Sequence, residues 1–373
     1  MSSCDYIELA QPGVRRLQPY LPGKPIEELK REYGVEHVIK LASNENPLGP
    51  SPLAMAAIQQ EFRELARYPD GNGFVLKQAL SKKYACDAAQ ITLGNGSNDI
   101  LELVGRAYAG SGDEIIISEH AFAIYGIVAR VIGATAVITP AVNWGHDLVA
   151  MAAAITDRTR IIFLANPNNP TGTSFSDSEL RDFLQQIPEQ VLVVLDEAYF
   201  EYAAHPAMGI ADYPNGMDLL DKFPNLIVAR TFSKAYGLAG LRVGYGISHP
   251  QVANILNRVR QPFNVNSMAM RAAAAALDDN EHLHRSVTLN AAGMQQYQTA
   301  FTELGLDWIP SAGNFISVAV GGDAAGVYDA LLRKGVIVRP VANYGMPGYL
   351  RVSIGLESEN QQAIQALRDV LDK

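Results

Sequence analysis

A chain of 373 residues with 48% hydrophobic and 18% charged residues is long enough for more than one packed core, and this composition excludes a disordered or fibrous protein. Its formal net charge of −9 argues against a nucleic-acid surface, and it requires any phosphate ligand to be held by local donors against a repelling overall field. The two cysteines, Cys4 and Cys86, form no CxxC pattern; no basic-then-apolar leader and no membrane-length apolar run is seen, so a cytoplasmic protein without disulfides or membrane spans is expected.

Residues 1–45 mix prolines and charges around one predicted helix near 25–33 and read as an N-terminal arm, turn-rich over Tyr20–Pro25. Leu41–Gly49 is strand-like and closes on Asn46-Pro47 and Gly49. Helices predicted over 52–65 and 76–84 are parted by Arg67–Gly73, which sets Tyr68 among turn residues. Ile91-Thr92-Leu93 then runs as a strand into Gly94-Asn95-Gly96-Ser97-Asn98-Asp99 and a helix over 100–109. Strand, glycine turn and helix N-terminus together make a cradle of backbone N–H groups suited to a phosphate.

Strands at 114–118, 135–139, 160–165 and 191–195 alternate with helices over 124–132, 148–154 and 180–186. Between them lie His120–Tyr125, Asn166–Gly172 and Asp196-Glu197-Ala198-Tyr199. A further apolar strand, Leu226–Ala229, delivers Lys234 into Thr231-Phe232-Ser233-Lys234 with Arg242 downstream. Arg230 and Arg242 would lower the pKa of that amine, as a lysine that attacks a carbonyl at neutral pH requires. The hydroxyls of Thr231 and Ser233 with the Arg242 guanidinium would hold a phosphate. A strand-end lysine that merely snorkels to water is the alternative at this point. Repeated strand–helix–strand units predict a mostly parallel sheet flanked by helices, with ligand groups at the carboxyl ends of its strands. Gly96–Asn98, Asn169, Asp196, Tyr199 and Lys234 all fall there, and that concurrence favours a site.

Beyond about residue 262 the pattern changes to a smaller α+β domain. An alanine-rich helix (269–277) and a long helix (281–304) precede strands at 315–320, 336–339 and 349–355, and a last helix starts near Glu359. The expected division is an arm (1–45) packing on the small domain, a large α/β domain (46–262) and the small C-terminal domain (263–373).

The ordered set Asn169-Pro170-Thr171-Gly172, Asp196-x-x-Tyr199 and Ser233-Lys234-x7-Arg242, followed by Arg351, resembles the fold-type I pyridoxal-phosphate aminotransferases of class I and II. The likeness runs from Tyr20 to Asn360, and within that group it points to the histidinol-phosphate aminotransferase family and its aromatic-aminotransferase relatives. It implies pyridoxal 5′-phosphate as cofactor, with Lys234 as covalent anchor and proton-shuttling base and Asp196 as partner of the pyridine nitrogen. Tyr199 and Asn169 would bond the ring's 3′-oxygen, and Phe122 would stack on the ring. Gly96, Ser97, Asn98, Thr231, Ser233 and Arg242 would surround its phosphate.

On the substrate side, the resemblance makes Arg351 a carboxylate fork, sets Tyr20 and Arg339 at a distal phosphate, and adds Asn44. Tyr68 would reach the cofactor phosphate of a neighbouring subunit, which implies a homodimer with shared sites. The implied reaction converts histidinol phosphate and 2-oxoglutarate to imidazole acetol phosphate and glutamate. An aromatic aminotransferase is the alternative, then an amino-acid-phosphate decarboxylase of the same fold. A non-catalytic regulator is disfavoured, because the short acidic arm leaves no room for a basic DNA-binding domain. The seven histidines show no metal-ligand spacing, His282 and His284 falling two apart on a predicted helix, and His120 receives no role.

Overall fold

The computed structural model describes residues 4–15, 17–20, 22–322 and 324–371; Leu21 of the turn-rich segment and the outermost residues of the arm and the small domain lie outside that set. Seven strands form the central sheet: β1 (Ile91–Gly94), β2 (Glu114–Ser118), β3 (Thr135–Thr139), β4 (Thr159–Ala165), β5 (Leu192–Asp196), β6 (Leu226–Thr231) and β7 (Gly244–Ser248). Their order is β1-β7-β6-β5-β4-β2-β3. β7 runs antiparallel to β1 and β6, and the remaining pairs are parallel.

Parallel strands covered on both faces need apolar side chains at every position, and β2 and β5 are buried along their whole length. Alternate residues then feed two cores. Ile115, Ile117, Phe163, Val194 and Ala229 meet Ile100, Val104 and Val128 on one face. Ile116, Leu164, Val193, Leu195 and Val228 meet Leu180 and Phe183 on the other. The helix expected from residue 100 begins at Ser97, so its first turn sits directly at the sheet edge. β7 gave no sequence signal because two of its five residues are glycines, Gly244 and Gly246. Both are needed. A Cβ on Gly244 would lie 2.4 Å from the Ser97 nitrogen, and one on Gly246 would lie 2.9 Å from Ile100 Cγ2.

The second sheet is antiparallel and is built from β8 (Trp308–Ile309), β9 (Phe315–Ala319), β10 (Arg339–Pro340) and β11 (Tyr349–Ser353) in the order β8-β9-β11-β10. Helices Asn280–Glu303, Ala324–Arg333 and Glu357–Val370 cover it, packing Tyr297, Phe301, Leu331 and Leu367 on Ile316, Val318, Leu350 and Val352. The helix Ala324–Arg333 was not expected from the sequence. The arm touches both bodies. Ile39–Lys40 pairs in parallel with Val336–Ile337, and Leu29 of helix Ile26–Tyr33 buries against Leu332 and Ile337. The turn Pro12–Arg15 instead lies against helix Ala123–Val131, so close that a Cβ on Gly13 would fall 2.0 Å from the Arg130 carbonyl oxygen. On this layout we propose an arm of residues 1–45, a large domain of 46–262 and a small domain of 263–373.

Candidate active site

The carboxyl ends of β4, β5 and β6 open into a cavity of about 380 Å³, closed from the other side by β10, β11 and the arm. At one end, helix Ser97–Tyr108 starts from Gly96 at φ 82° with no side-chain cap, which leaves its first N–H groups for a ligand. Arg242, itself at φ 56°, lies against that turn, and a Cβ on Gly96 would come within 2.6 Å of its Nη2. Arg242 Nη1 donates to Ser233 Oγ (3.3 Å), Thr231 Oγ1 lies 3.0 Å from the same hydroxyl, and the Ser233 N–H donates to Thr231 Oγ1 (3.1 Å). Ser97 and Asn98 line this end. A guanidinium, two hydroxyls and a helix N-terminus converge here on the place of one anion.

Asp196 ends β5 at the floor. Its Oδ2 accepts from Tyr125 Oη (2.9 Å), while its buried Oδ1 has no hydrogen-bond partner among the described residues. Burial pushes this carboxyl up to about 6, against the pull of Tyr125 and the Ala198 N–H. Lys234 Nζ donates to the Ser43 carbonyl (3.0 Å) and stands 5.7 Å from the Tyr199 ring centroid. Burial, then the charges of Arg351 and Arg242, bring the ammonium down to about 7. The expectation that Arg230 helps lower it does not hold. Arg230 belongs to a different enclosure, with its guanidinium bonded to buried Glu197 through Nε (2.9 Å) and Nη2 (2.7 Å) and lying 3.4 Å from the Phe200 ring centroid. That pair ties β6 to the end of β5 from outside the cavity.

Tyr199 Oη accepts from Asn44 Nδ2 (3.0 Å) and Asn169 Nδ2 (3.1 Å), and burial holds its phenol up to about 12. Arg351 donates to Asn169 Oδ1 and, at 2.6 Å, to the Ala42 carbonyl, and its buried Nε has no partner among the described residues. Arg339 is the cross-strand partner of Arg351 and places its guanidinium 5.5 Å from the Tyr20 ring centroid. Two guanidinium groups side by side in one cavity call for an anion between them. Asn44, at φ 55°, is held by two bonds with Ser353: its N–H donates to Ser353 Oγ (2.8 Å), which donates back to Asn44 Oδ1 (2.9 Å). Phe122 lines the cavity and meets Tyr125 edge-on.

Of the residues expected to touch cofactor or substrate, Gly96 sits behind the cavity wall against Arg242, and Tyr68 stands well apart from the cavity. It is 83% exposed and stacks on Phe263 at 4.7 Å. Sequence reasoning missed Tyr125, Ser43 and Ala198. Tyr125 had a signal, standing three residues after Phe122 and so one helical turn along. Ser43 and Ala198 act through the backbone, which no side-chain motif reports.

The donor set specifies its ligand. The buried Asp196 Oδ1 needs an N–H donor, the Lys234 amine needs a carbonyl, and the far end needs a phosphate; pyridoxal phosphate meets all three at once. A two-domain α/β fold built round such a site defines a pyridoxal-phosphate-dependent enzyme. Residues 36–367 match the sequence profile of aminotransferase class I and II, and the chain belongs to that family. It is 60% identical over 371 residues, 99% of both chains, to histidinol-phosphate aminotransferase 2 of Pseudomonas fluorescens strain ATCC BAA-477. It is 53% identical over the whole of both chains to histidinol-phosphate aminotransferase 1 of Nitrosococcus oceani. Among solved structures, that of histidinol-phosphate aminotransferase from Sinorhizobium meliloti in complex with pyridoxal-5′-phosphate superposes with a TM-score of 0.87 over 97% of each chain at 30% identity.

Proposed function

We propose that this chain transfers the amino group of histidinol phosphate to 2-oxoglutarate, giving imidazole acetol phosphate and glutamate, as the names of its relatives suggest. The observation that carries the reading is the pairing of Arg339 with Arg351 opposite Lys234 and Asp196 in one cavity. Bound pyridoxal phosphate supplies an electron sink that lets the substrate's α-carbon give up a proton. Asp196, whose Oδ1 is free to accept an N–H, would hold a proton on the ring nitrogen. Lys234 Nζ, brought down to about 7 and so about half neutral at pH 7, would take the α-proton and return it to the carbon on the other side of the transferred nitrogen. Tyr199 and Asn169 would hold the ring oxygen, Thr231, Ser233, Arg242 and the N–H groups after Gly96 would hold the phosphate, and Phe122 would supply an aromatic wall for the ring. Arg351, with its strand neighbour Arg339 and with Tyr20 and Asn44 lining the same cavity, takes either the phosphate of the amine or the carboxylates of glutamate.

The reading includes a homodimer in which Tyr68 completes the neighbouring site. In support, Tyr68 stacks on the exposed Phe263 and is flanked in sequence by the exposed Phe62, Leu65 and Phe74. It also includes a cytoplasmic location; no helix among the described residues is long and apolar enough to cross a membrane.

The test is turnover of purified holoenzyme with 2-oxoglutarate and histidinol phosphate, phenylalanine or tyrosine, scored by glutamate formed. Glutamate from histidinol phosphate at the highest kcat/KM is expected. Good aromatic turnover with none from histidinol phosphate would move the assignment to an aromatic aminotransferase. Carbon dioxide released from an amino-acid phosphate, without glutamate, would make the chain a decarboxylase.

A further inference from the structure

His120 stands where three segments of the site meet. It adopts φ 57° just before Phe122, and its side chain is 10% exposed. Its Nδ1 lies 2.6 Å from the Tyr344 carbonyl oxygen, which can only accept, so Nδ1 carries the proton. Tyr344 lies on the loop between β10, which carries Arg339, and β11, which carries Arg351. The same segments also pack together, Ala123 lying against the apolar cluster that holds Tyr344. The His120 carbonyl accepts from Asn168 Nδ2 (3.1 Å), the neighbour of Asn169. The imidazole is boxed by the Trp144 ring at 5.1 Å and by Gly345, where a Cβ would come within 3.3 Å of the ring.

We propose that His120 is a positioning residue that locks the loop bearing Phe122, in the large domain, to the loop joining the two substrate arginines, in the small domain. Resting on the transaminase reading, the proposal concerns distance control: the cofactor-facing aromatic and the anion-binding pair are set in register through Tyr344. Lys234 and Asp196 hang from other strands, so loss of the lock displaces the substrate grip and leaves the proton-transfer groups in place.

The left-handed backbone dictates the variants. Glycine removes the imidazole without strain, whereas asparagine tolerates φ 57° and presents an amide donor near the Nδ1 position. With holoenzyme, His120→Gly is expected to raise the KM of the amine roughly three- to tenfold, the worth of one neutral hydrogen bond, with kcat within about twofold. The visible circular dichroism of the bound cofactor should shift, and His120→Asn should return both values most of the way to wild type. Unchanged KM and dichroism in His120→Gly, with only a lower Tm, would overturn the proposal as a purely structural role. Failure of asparagine to rescue would overturn its hydrogen-bond basis. Both ratios are measured with whichever amine the wild type accepts best, so a wrong substrate assignment shows in the wild type and leaves this test standing.

Discussion

Replacing Asp196 by asparagine should pull stability and activity in opposite directions. In the apoprotein the buried carboxyl titrates near 6 instead of the ordinary 3.8. Between those values the folded state binds the extra proton, so stability falls as pH rises from about 4 to 6 and stays reduced above. A shift of about two units corresponds to about 3 kcal/mol at pH 8. Asparagine keeps an acceptor for Tyr125 and carries no charge, so Asp196→Asn apoprotein should be more stable than wild type at pH 8 by up to that amount, and equal to it near pH 4. Denaturant unfolding of apoprotein at the two pH values measures this directly. Cofactor should reverse the order, because its ring N–H supplies the donor that Oδ1 lacks. The loaded variant should then turn over about 10²–10³-fold more slowly, in line with removal of a preorganised electrostatic partner. Equal apoprotein stability at both pH values, or turnover within about threefold of wild type, would refute the argument.

Lys234→Ala should abolish transamination while leaving the fold intact, checked by circular dichroism. In wild-type apoprotein, recombination with pyridoxal phosphate, followed by absorbance, should slow as pH falls through about 7 because the attacking amine becomes protonated. Mixing Lys234→Ala with Tyr68→Ala, each inactive or weak alone, should recover up to about a quarter of wild-type activity, since half the dimers carry one intact shared site. No recovery after demonstrated subunit exchange would remove Tyr68 from the site. Arg339→Ala should weaken histidinol phosphate about ten- to a hundredfold, the loss of charge-assisted bonds worth about 1.5–3 kcal/mol, and affect phenylalanine far less. A parallel loss for both amines would show that Arg339 is structural.

The site was legible wherever chemistry lies in side chains at strand ends. Asp196, Lys234, Arg242 and Arg351 follow from motif order, and the structure gathers them around one cavity. The fold was legible where strands are long apolar runs, as in β2 and β5. It was not legible in β7, whose glycines serve the packing of a helix and erase the β pattern. The environment of Lys234 was half read. Its depressed pKa follows and Arg242 contributes as expected, but Arg230, the other arginine credited, is held elsewhere by Glu197, and the larger charge effect comes from Arg351, which lies 117 residues further along the chain. Ser43 and Ala198 stayed invisible because a carbonyl and an amide carry no residue signature. His120 was seen and left without a role, because its partner Tyr344 lies 224 residues away.

The paired bonds of Asn44 with Ser353 join residues 309 apart in the chain, and this fixes an order of events during synthesis. β1 to β7 are complete by Ser248, and with them Asp196, Lys234, Ser233 and Arg242. A chain that long, still attached to the ribosome, already carries every side chain assigned above to the cofactor. It lacks Arg339 and Arg351, and Asn44 still has no Ser353 to hold it. The cluster of Arg339, Arg351 and Asn44 is therefore the last part of the cavity to be assembled, and it waits on the strand Tyr349–Ser353.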